Sequence, residues 1–247
     1  MNLIQPKIFT DIDGVSAIFT KANRNVVNQK GEIPGLNLGN NTSAGDAEIK
    51  NNKRDLFKLL EWDLRNLASA KQVHGDNIKV VDKPGLYSDY DGLITREKGL
   101  ILSIQVADCA AVLVSAKNGN IVGAFHAGWK GAAKGIIGKG LKKMKSLNND
   151  ESSYCAYISP CISQKSFEVG EEVAQLFPDR VVERASYSKP HIDLKKFIID
   201  ELKKEGLKED NIEYSKECTF ENHDLYSYRR ERHTAGRMLA MIKMNKS

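Results

Sequence analysis

The chain has 247 residues, 41% apolar and 28% charged, with 37 Lys and Arg against 32 Asp and Glu and a net charge of +5. That length and balance suit a folded core and exclude a disordered or fibrous chain. No run of about 18 apolar residues occurs, so no transmembrane helix is expected. The opening Met1-Asn2-Leu3-Ile4-Gln5-Pro6 lacks the basic and apolar regions of a secretory signal. The four cysteines, Cys109, Cys155, Cys161 and Cys218, are expected as free thiols in a reducing, cytoplasmic compartment, because a chain this long needs no disulfide staples.

In chain order, residues 46–60 carry helical spacing through Ile49, Leu56, Phe57 and Leu60. Short apolar runs at 78–81, 100–106, 110–114, 120–125 and 154–159 read as strands. The basic segment 135–145 places Ile137, Leu141 and Met144 on one helix face and its lysines on the other, a solvated face. It has no interleaved aromatics, so nucleic acid is not an expected partner. A helix is predicted from Phe167 to Phe177, stopped by Pro178, and another over 194–202 with Leu194, Phe197, Ile198 and Leu202 on one face. Turn-rich stretches fall at 31–45, 83–91 and 148–153. Interleaved strands and helices predict an α/β or α+β fold, one domain over 1–247 with a mixed sheet flanked by helices.

The most informative segment runs from Leu100 to Gly131. Its two apolar runs flank Lys117-Asn118-Gly119-Asn120, and Asn-Gly signals a type I′ hairpin. With Asn118 and Gly119 as the loop, Cys109 faces Gly128, and His126 lies one diagonal step away on the same sheet face. Such neighbours are about 7–8 Å apart at Cα, near enough for a thiolate and an imidazole to share one metal ion. A helix beginning near Ala132 would turn its positive end toward His126, a plausible anion pocket. His74, in Gln72-Val73-His74-Gly75, stands at a strand end as a third candidate ligand, although spacing alone does not bring it to Cys109. The three lack zinc-finger spacing, which argues against a closed structural site. Two His and one Cys would leave the fourth position of a zinc ion open.

Several separated motifs then carry a resemblance. Lys71-Gln72-Val73-His74-Gly75, Ala107-Asp108-Cys109 and His126-Ala127-Gly128-Trp129-Lys130-Gly131 resemble the YfiH-type laccase-domain family. It is also called the polyphenol-oxidase family, and its members are regarded as purine nucleoside phosphorylases. Leu36-Asn37-Leu38-Gly39, Ser159-Pro160-Cys161-Ile162, Phe167-Glu168-Val169-Gly170, Tyr226-Ser227-Tyr228-Arg229-Arg230 and Gly236-Arg237-Met238 extend the resemblance over nearly the whole chain. The resemblance implies a fold shared with toxin-type deamidase domains of the cytotoxic-necrotizing-factor kind. It implies one catalytic Zn2+ held by His74, Cys109 and His126. It also implies phosphorolysis of adenosine, inosine, guanosine or methylthioadenosine with inorganic phosphate, and deamination of adenosine. Lys21 and Lys53 stand where the family has arginine, keeping the charge but losing the planar fork.

Phosphorolysis needs an anion site, for which Lys130, Arg229 and Arg230 are the candidates. Arg229-Arg230 reads equally as a structural pair. Asn37 is a candidate for hydrogen bonding to ribose or base, or a turn residue. Glu168 and Asp108 are candidates for proton transfer. Tyr87 and Tyr90 either stack a purine or close their loop. Cys155, Cys161 and Cys218 read as small buried residues. Three other readings stand beside this one, the first a non-enzymatic module that binds nucleosides or a partner protein. Cys109 with His74 or His126 makes a metal-free cysteine hydrolase, for instance acting on a peptidoglycan precursor. A copper polyphenol oxidase wants more imidazoles than a chain with five His readily supplies.

Overall fold

The computed structural model describes residues 1–40, 42–148 and 153–246. The chain opens with β1 (Leu3–Ile4), β2 (Val15–Thr20), α1 (Asp46–Leu59), β3 (Leu67–Lys71), β4 (Ile78–Val80), β5 (Gly85–Ser88) and β6 (Gly92–Thr95). The central stretch is β7 (Ile101–Val106), β8 (Ala110–Ala116), β9 (Val122–Ala127), α2 (Trp129–Ala133), α3 (Ile136–Leu147) and β10 (Tyr154–Ile158). The last third holds α4 (Glu171–Ala174), β11 (Val182–Glu183), β12 (His191–Ile192), α5 (Leu194–Lys204), β13 (Ile212–Tyr214), α6 (Tyr228–Glu231) and β14 (Met238–Met244).

The expected mixed sheet is in fact two, each six-stranded, in the orders β1-β2-β14-β7-β3-β5 and β13-β10-β8-β9-β6-β4, with a small β11-β12 pair beside them. Both large sheets mix parallel and antiparallel neighbours. They pack face to face. Leu102, Ile104, Ala240 and Ile242 of the first sheet share one core with Ala111, Leu113, Val122 and Ala124 of the second. The alternate residues of β8, Ala110, Val112 and Val114, face the other way, onto Ile137, Leu141, Ile198 and Leu202 of α3 and α5. On the far side α1 covers the first sheet, with Leu56 and Phe57 against Ile18, Ile101 and Met241. Burial on both faces explains why 110–116 reads as an unbroken apolar run rather than an alternating one.

The predicted hairpin register holds, with Ala111 opposite His126 and Ala110 opposite Ala127. The turn differs. Four residues, Lys117 to Asn120, separate the closing pair Ala116 and Ile121, and Gly119 N–H bonds Ala116 O at 2.9 Å. Gly119 has φ +67°, while Asn118 does not have positive φ, so this is not a type I′ turn. The longer loop is centred on the same point, which is why the register survives.

The helix predicted from Phe167 to Phe177 is mostly absent. Val169 N–H bonds Pro190 O and Ile192 N–H bonds Phe167 O, so an extended pairing claims 167–169 and only α4 remains helical. The helix placed near Ala132 starts earlier, as the five-residue α2. In the turn-rich stretch 148–153, residues 149–152 lie outside the described residues, as does residue 41 in 31–45.

Candidate metal centre and cavity

The three candidate ligands come from three junctions at one end of the space between the sheets. His126 shares the inward face of β9 with Val122 and Ala124. Cys109 lies where residues 107–109 carry the chain from β7 in one sheet to β8 in the other, and it packs against the inter-sheet core. His74 follows β3 in a tight loop, with φ +59°. Their ligand atoms all lie within 4.8 Å of one another. The imidazoles meet edge to face, with ring centroids 4.8 Å apart.

A fully buried carboxylate that the sequence reading passed over organises this centre. Asp91 stands just before β6. Its Oδ1 accepts from His74 N–H at 3.0 Å and faces His126 Nδ1 at 2.7 Å. Its Oδ2 accepts from Val73 N–H at 3.2 Å and Gly75 N–H at 2.7 Å. One side chain therefore shapes the His74 loop and orients the His126 ring, turning Nε2 toward Cys109. Its only sequence signal is the Asp-Gly pair, which reads as turn chemistry. Burial works to raise the Asp91 pKa, but the hydrogen bond and charge of His126 and the N–H groups of Gly75 and Val73 hold it below the usual carboxylate range.

Electrostatics favour the ligand form of the thiol. Burial pushes the Cys109 thiol up, but the charge and hydrogen bonds of His126 and His74 outweigh it and bring it down to about 6. Burial pushes the His126 imidazole down, and the Cys109 thiolate and Asp91 raise it to about 9. Gly128 faces the pair closely: a Cβ there would lie 2.9 Å from Cys109 Sγ and 3.3 Å from His74 Cδ2. Two imidazoles and a thiolate, with a carboxylate behind one imidazole, fit a single tetrahedral ion with an open position. They do not fit a multi-copper assembly. Of the other histidines, His191 stacks on Tyr187 at 3.8 Å with Nδ1 2.8 Å from Gln164 O. His223 and His233 are exposed, and none of these three belongs to the cluster.

The cluster opens into a cavity of about 690 Å³. Trp129, Ile162, Phe167, Val169, Val173 and Leu194 line it with apolar groups, and Arg229, Arg232 and Arg237 line it with basic ones. This size and mixture suit a small organic ligand held by a few polar groups.

The profile of a family described as multi-copper polyphenol oxidoreductase laccase matches residues 16–245. The chain belongs to this family. A purine nucleoside phosphorylase of Clostridium acetobutylicum is 32% identical over 214 residues, covering 84% of this chain and 87% of that protein. One from Deinococcus radiodurans is 32% identical over 247 residues, covering 98% and 90%. Among solved structures, YlmD from Geobacillus stearothermophilus superposes with a TM-score of 0.86 at 27% identity, covering 96% of this chain and 94% of that one. YfiH from Bacillus licheniformis gives 0.84 at 27% identity, covering 94% and 93%.

In this laccase-family chain several predicted binding residues stand away from the cavity. Asn37 is fully buried. Its Oδ1 accepts from Gly39 N–H at 3.1 Å and Arg237 N–H at 3.0 Å, so it shapes a loop and positions Arg237 rather than meeting a ligand. Arg230 spends its guanidinium on Thr219 O, Phe220 O, Leu225 O and Glu231, which makes it the structural member of the Arg229-Arg230 pair. Lys130 is exposed, lies over the Trp129 ring at 5.3 Å and does not line the cavity. Arg229 does line it, with one guanidinium N–H on Glu168 O at 2.9 Å.

Asp108 lines the cavity, but its carboxylate is occupied by Thr219 Oγ1 at 2.6 Å and Arg229 N–H at 2.6 Å. Glu168 also lines it, and an ion pair with Lys189 holds its carboxyl below the usual range. Tyr87 bonds Lys83 O, Tyr90 lies under Lys79, and neither reaches the cavity. Lys21 pairs with Glu217 and Lys53 bonds Asn40, both outside the cavity lining. Cys155, Cys161 and Cys218 are buried free thiols.

The sequence reading missed Arg232 and Arg237 as cavity residues. Arg237 donates to Ala235 O and Gly236 O, and its side chain fits over Gly39, where a Cβ would lie 2.3 Å from Arg237 Cγ. Arg232 sits at φ +56°, ψ −131°, a backbone region that costs a non-glycine residue about 1–3 kcal/mol.

Proposed function

We propose that this chain is a zinc-dependent purine nucleoside phosphorylase that also deaminates adenosine, acting in a reducing cytoplasm. The observation that carries the reading is the meeting of His74, Cys109 and His126 at a ligand-sized cavity lined by both apolar and basic side chains. The phosphorylase names of the curated relatives support the same chemistry. No helix among the described residues is long and apolar enough to cross a membrane.

His74, Cys109 and His126 would hold the ion. Bound there, zinc supplies Lewis acidity and lowers the pKa of water. The apolar wall of Phe167, Val169 and Val173 takes the purine, excludes water and leaves the polar edge of the base free to turn toward the cluster. In phosphorolysis a phosphate oxygen bonds to ribose C1′ as the C1′–N9 bond breaks, giving ribose 1-phosphate and a purine that takes up a proton. In deamination a water oxygen bonds to purine C6 and the amino group leaves as ammonia. Both reactions need a proton carrier, and in this reading it is Glu168. Of the two cavity carboxylates, Asp108 is fully engaged, whereas Glu168 gives only Oε1 to Lys189.

The test is a product assay. Zinc-loaded protein is incubated with adenosine, with and without phosphate, and adenine, ribose 1-phosphate and inosine are followed by chromatography. About one zinc per chain, lost with both activities in Cys109→Ala, is the expected outcome. Absence of adenine and inosine alike would sink the reading.

The depressed Cys109 thiol beside His126 favours one second reading, a metal-free cysteine hydrolase acting on a peptidoglycan precursor. Chelation separates the two, since a metal-free hydrolase keeps its activity when zinc is stripped. The copper polyphenol oxidase reading has only two imidazoles at this cluster to draw on.

A further inference from the structure

We propose that Arg229, Arg232 and Arg237 form a phosphate-binding subsite in the same cavity as the metal cluster. The inference rests on the phosphorylase reading and supplies the anion site that reading requires. It moves that site from Lys130 and Arg230, which do not line the cavity, to arginines that do.

The first ground is charge. No carboxylate pairs with any of these three guanidinium groups among the described residues, although Arg24, Arg65, Arg180, Arg184 and Arg230 all have one. Of the cavity's own carboxylates, Asp108 is committed to Thr219 and the Arg229 backbone, and Glu168 pairs through Oε1 with Lys189 rather than with an arginine. Three cations without a carboxylate partner lining one cavity give it a positive potential that attracts an anion.

The second ground is donor count and position. A guanidinium has five N–H donors in a planar fork that matches phosphate oxygens. Arg229 spends Nη2 on Glu168 O, and Arg237 spends Nη1 on Ala235 O and Gly236 O; among the described residues the Arg232 guanidinium forms no hydrogen bond. The rest are free for a ligand. Arg237 is also near the cluster. Burial is the larger effect and pulls its pKa down, and Cys109 leads the charges that oppose it. A phosphate held there shares the cavity with any nucleoside at the metal.

The third ground is the Arg232 backbone. Its φ of +56° with ψ −131° suits glycine, yet arginine occupies it and lines the cavity. Strain kept at a position whose side chain makes no internal bond is the mark of a side chain retained for a ligand.

Because deamination uses water rather than phosphate, the two reactions separate this subsite from the rest of the site. Arg232→Gln is the first variant, chosen because the residue is exposed and carries no internal bond. Losing a charged donor is expected to raise KM for phosphate about tenfold or more and to shift products toward inosine by a similar factor. Arg232→Gly is the second. It relieves the backbone, so it is expected to hold or raise Tm while weakening phosphate in the same way. Unchanged phosphate KM in both variants overturns the subsite. So does deamination falling in step with phosphorolysis, which would mark a merely structural arginine.

A calorimetric titration with inorganic phosphate, compared between wild type and Arg232→Gln, reads the subsite without turnover. If wild type yields neither adenine nor inosine, the phosphorylase reading fails, and this titration still decides the subsite. A nucleotide's phosphoryl group offers the same chemistry as the free ion, so adenosine 5′-monophosphate is titrated separately. Binding of either probe that weakens in Arg232→Gln supports the subsite and identifies its source; binding of neither overturns it.

Discussion

Replacing Asp91 by Asn perturbs the metal centre without touching a ligand. Oδ1 serves His74 N–H and His126 Nδ1, and Oδ2 serves Val73 N–H and Gly75 N–H. Asn keeps the shape but turns one oxygen into an NH2 group. Whichever oxygen survives, one pair of donors then faces another donor. A hydrogen bond to a charged group contributes about 1.5–3 kcal/mol, so losing two costs about 3–6 kcal/mol. That is a large share of the roughly 5–15 kcal/mol that holds a typical domain together. The His126 ring also loses its anionic support, and metal affinity is expected to fall about 10–100-fold. Urea unfolding of metal-free protein gives the first number, and zinc competition against a chromophoric chelator gives the second. A stability loss under about 1 kcal/mol together with unchanged zinc affinity would refute the assignment of Asp91 as organiser.

Gly128→Ala brings a methyl 2.9 Å from Cys109 Sγ, and a loss of about 1–3 kcal/mol with weakened zinc binding is expected; an unshifted urea midpoint would contradict this packing. The Cys109 pKa is depressed, so its contribution to stability is present above the ordinary thiol pKa and lost as pH falls through about 6. The His126 pKa is raised, so its contribution is present below the ordinary imidazole pKa and lost as pH rises through about 9. Between about 6 and 9 the rising thiol contribution and the falling imidazole contribution offset each other, so metal-free protein should keep a nearly level urea midpoint over that range, and Cys109→Ala, which removes one of the two, should tilt the profile; superimposable profiles would contradict the pairing. Arg230→Ala strips donors from three carbonyls and Glu231, so it should cost about 2–4 kcal/mol and leave KM for phosphate alone. A raised KM with intact stability would return Arg230 to the binding site.

Local pattern carried a good part of this architecture. Helix α1 and helix α5 follow from apolar spacing within single segments. The Cys109–His126 approach follows from one hairpin, because loop centre and parity set who faces whom. The failures are non-local. His74 reaches the cluster because β3 lies beside β7, with Ser69 opposite Ser103, a parallel pairing that no turn signal announces. The division into two sheets depends on residues 107–109 crossing between layers at Asp108, whose φ of +82° is invisible in a sequence that reads as continuous strand. The helix expected from Phe167 fails because 190–192 competes for its backbone. Asp91 looks like a turn residue until the fold buries it behind the cluster.

The three candidate ligands are drawn from both sheets and from the crossing between them. An ion seized there would act as a rivet through two laminae, so chelation and cohesion of the layers become one thermodynamic event. Stripping the ion should therefore register first as faster amide exchange at the ends of β3, β7 and β9, long before the helices on either flank respond.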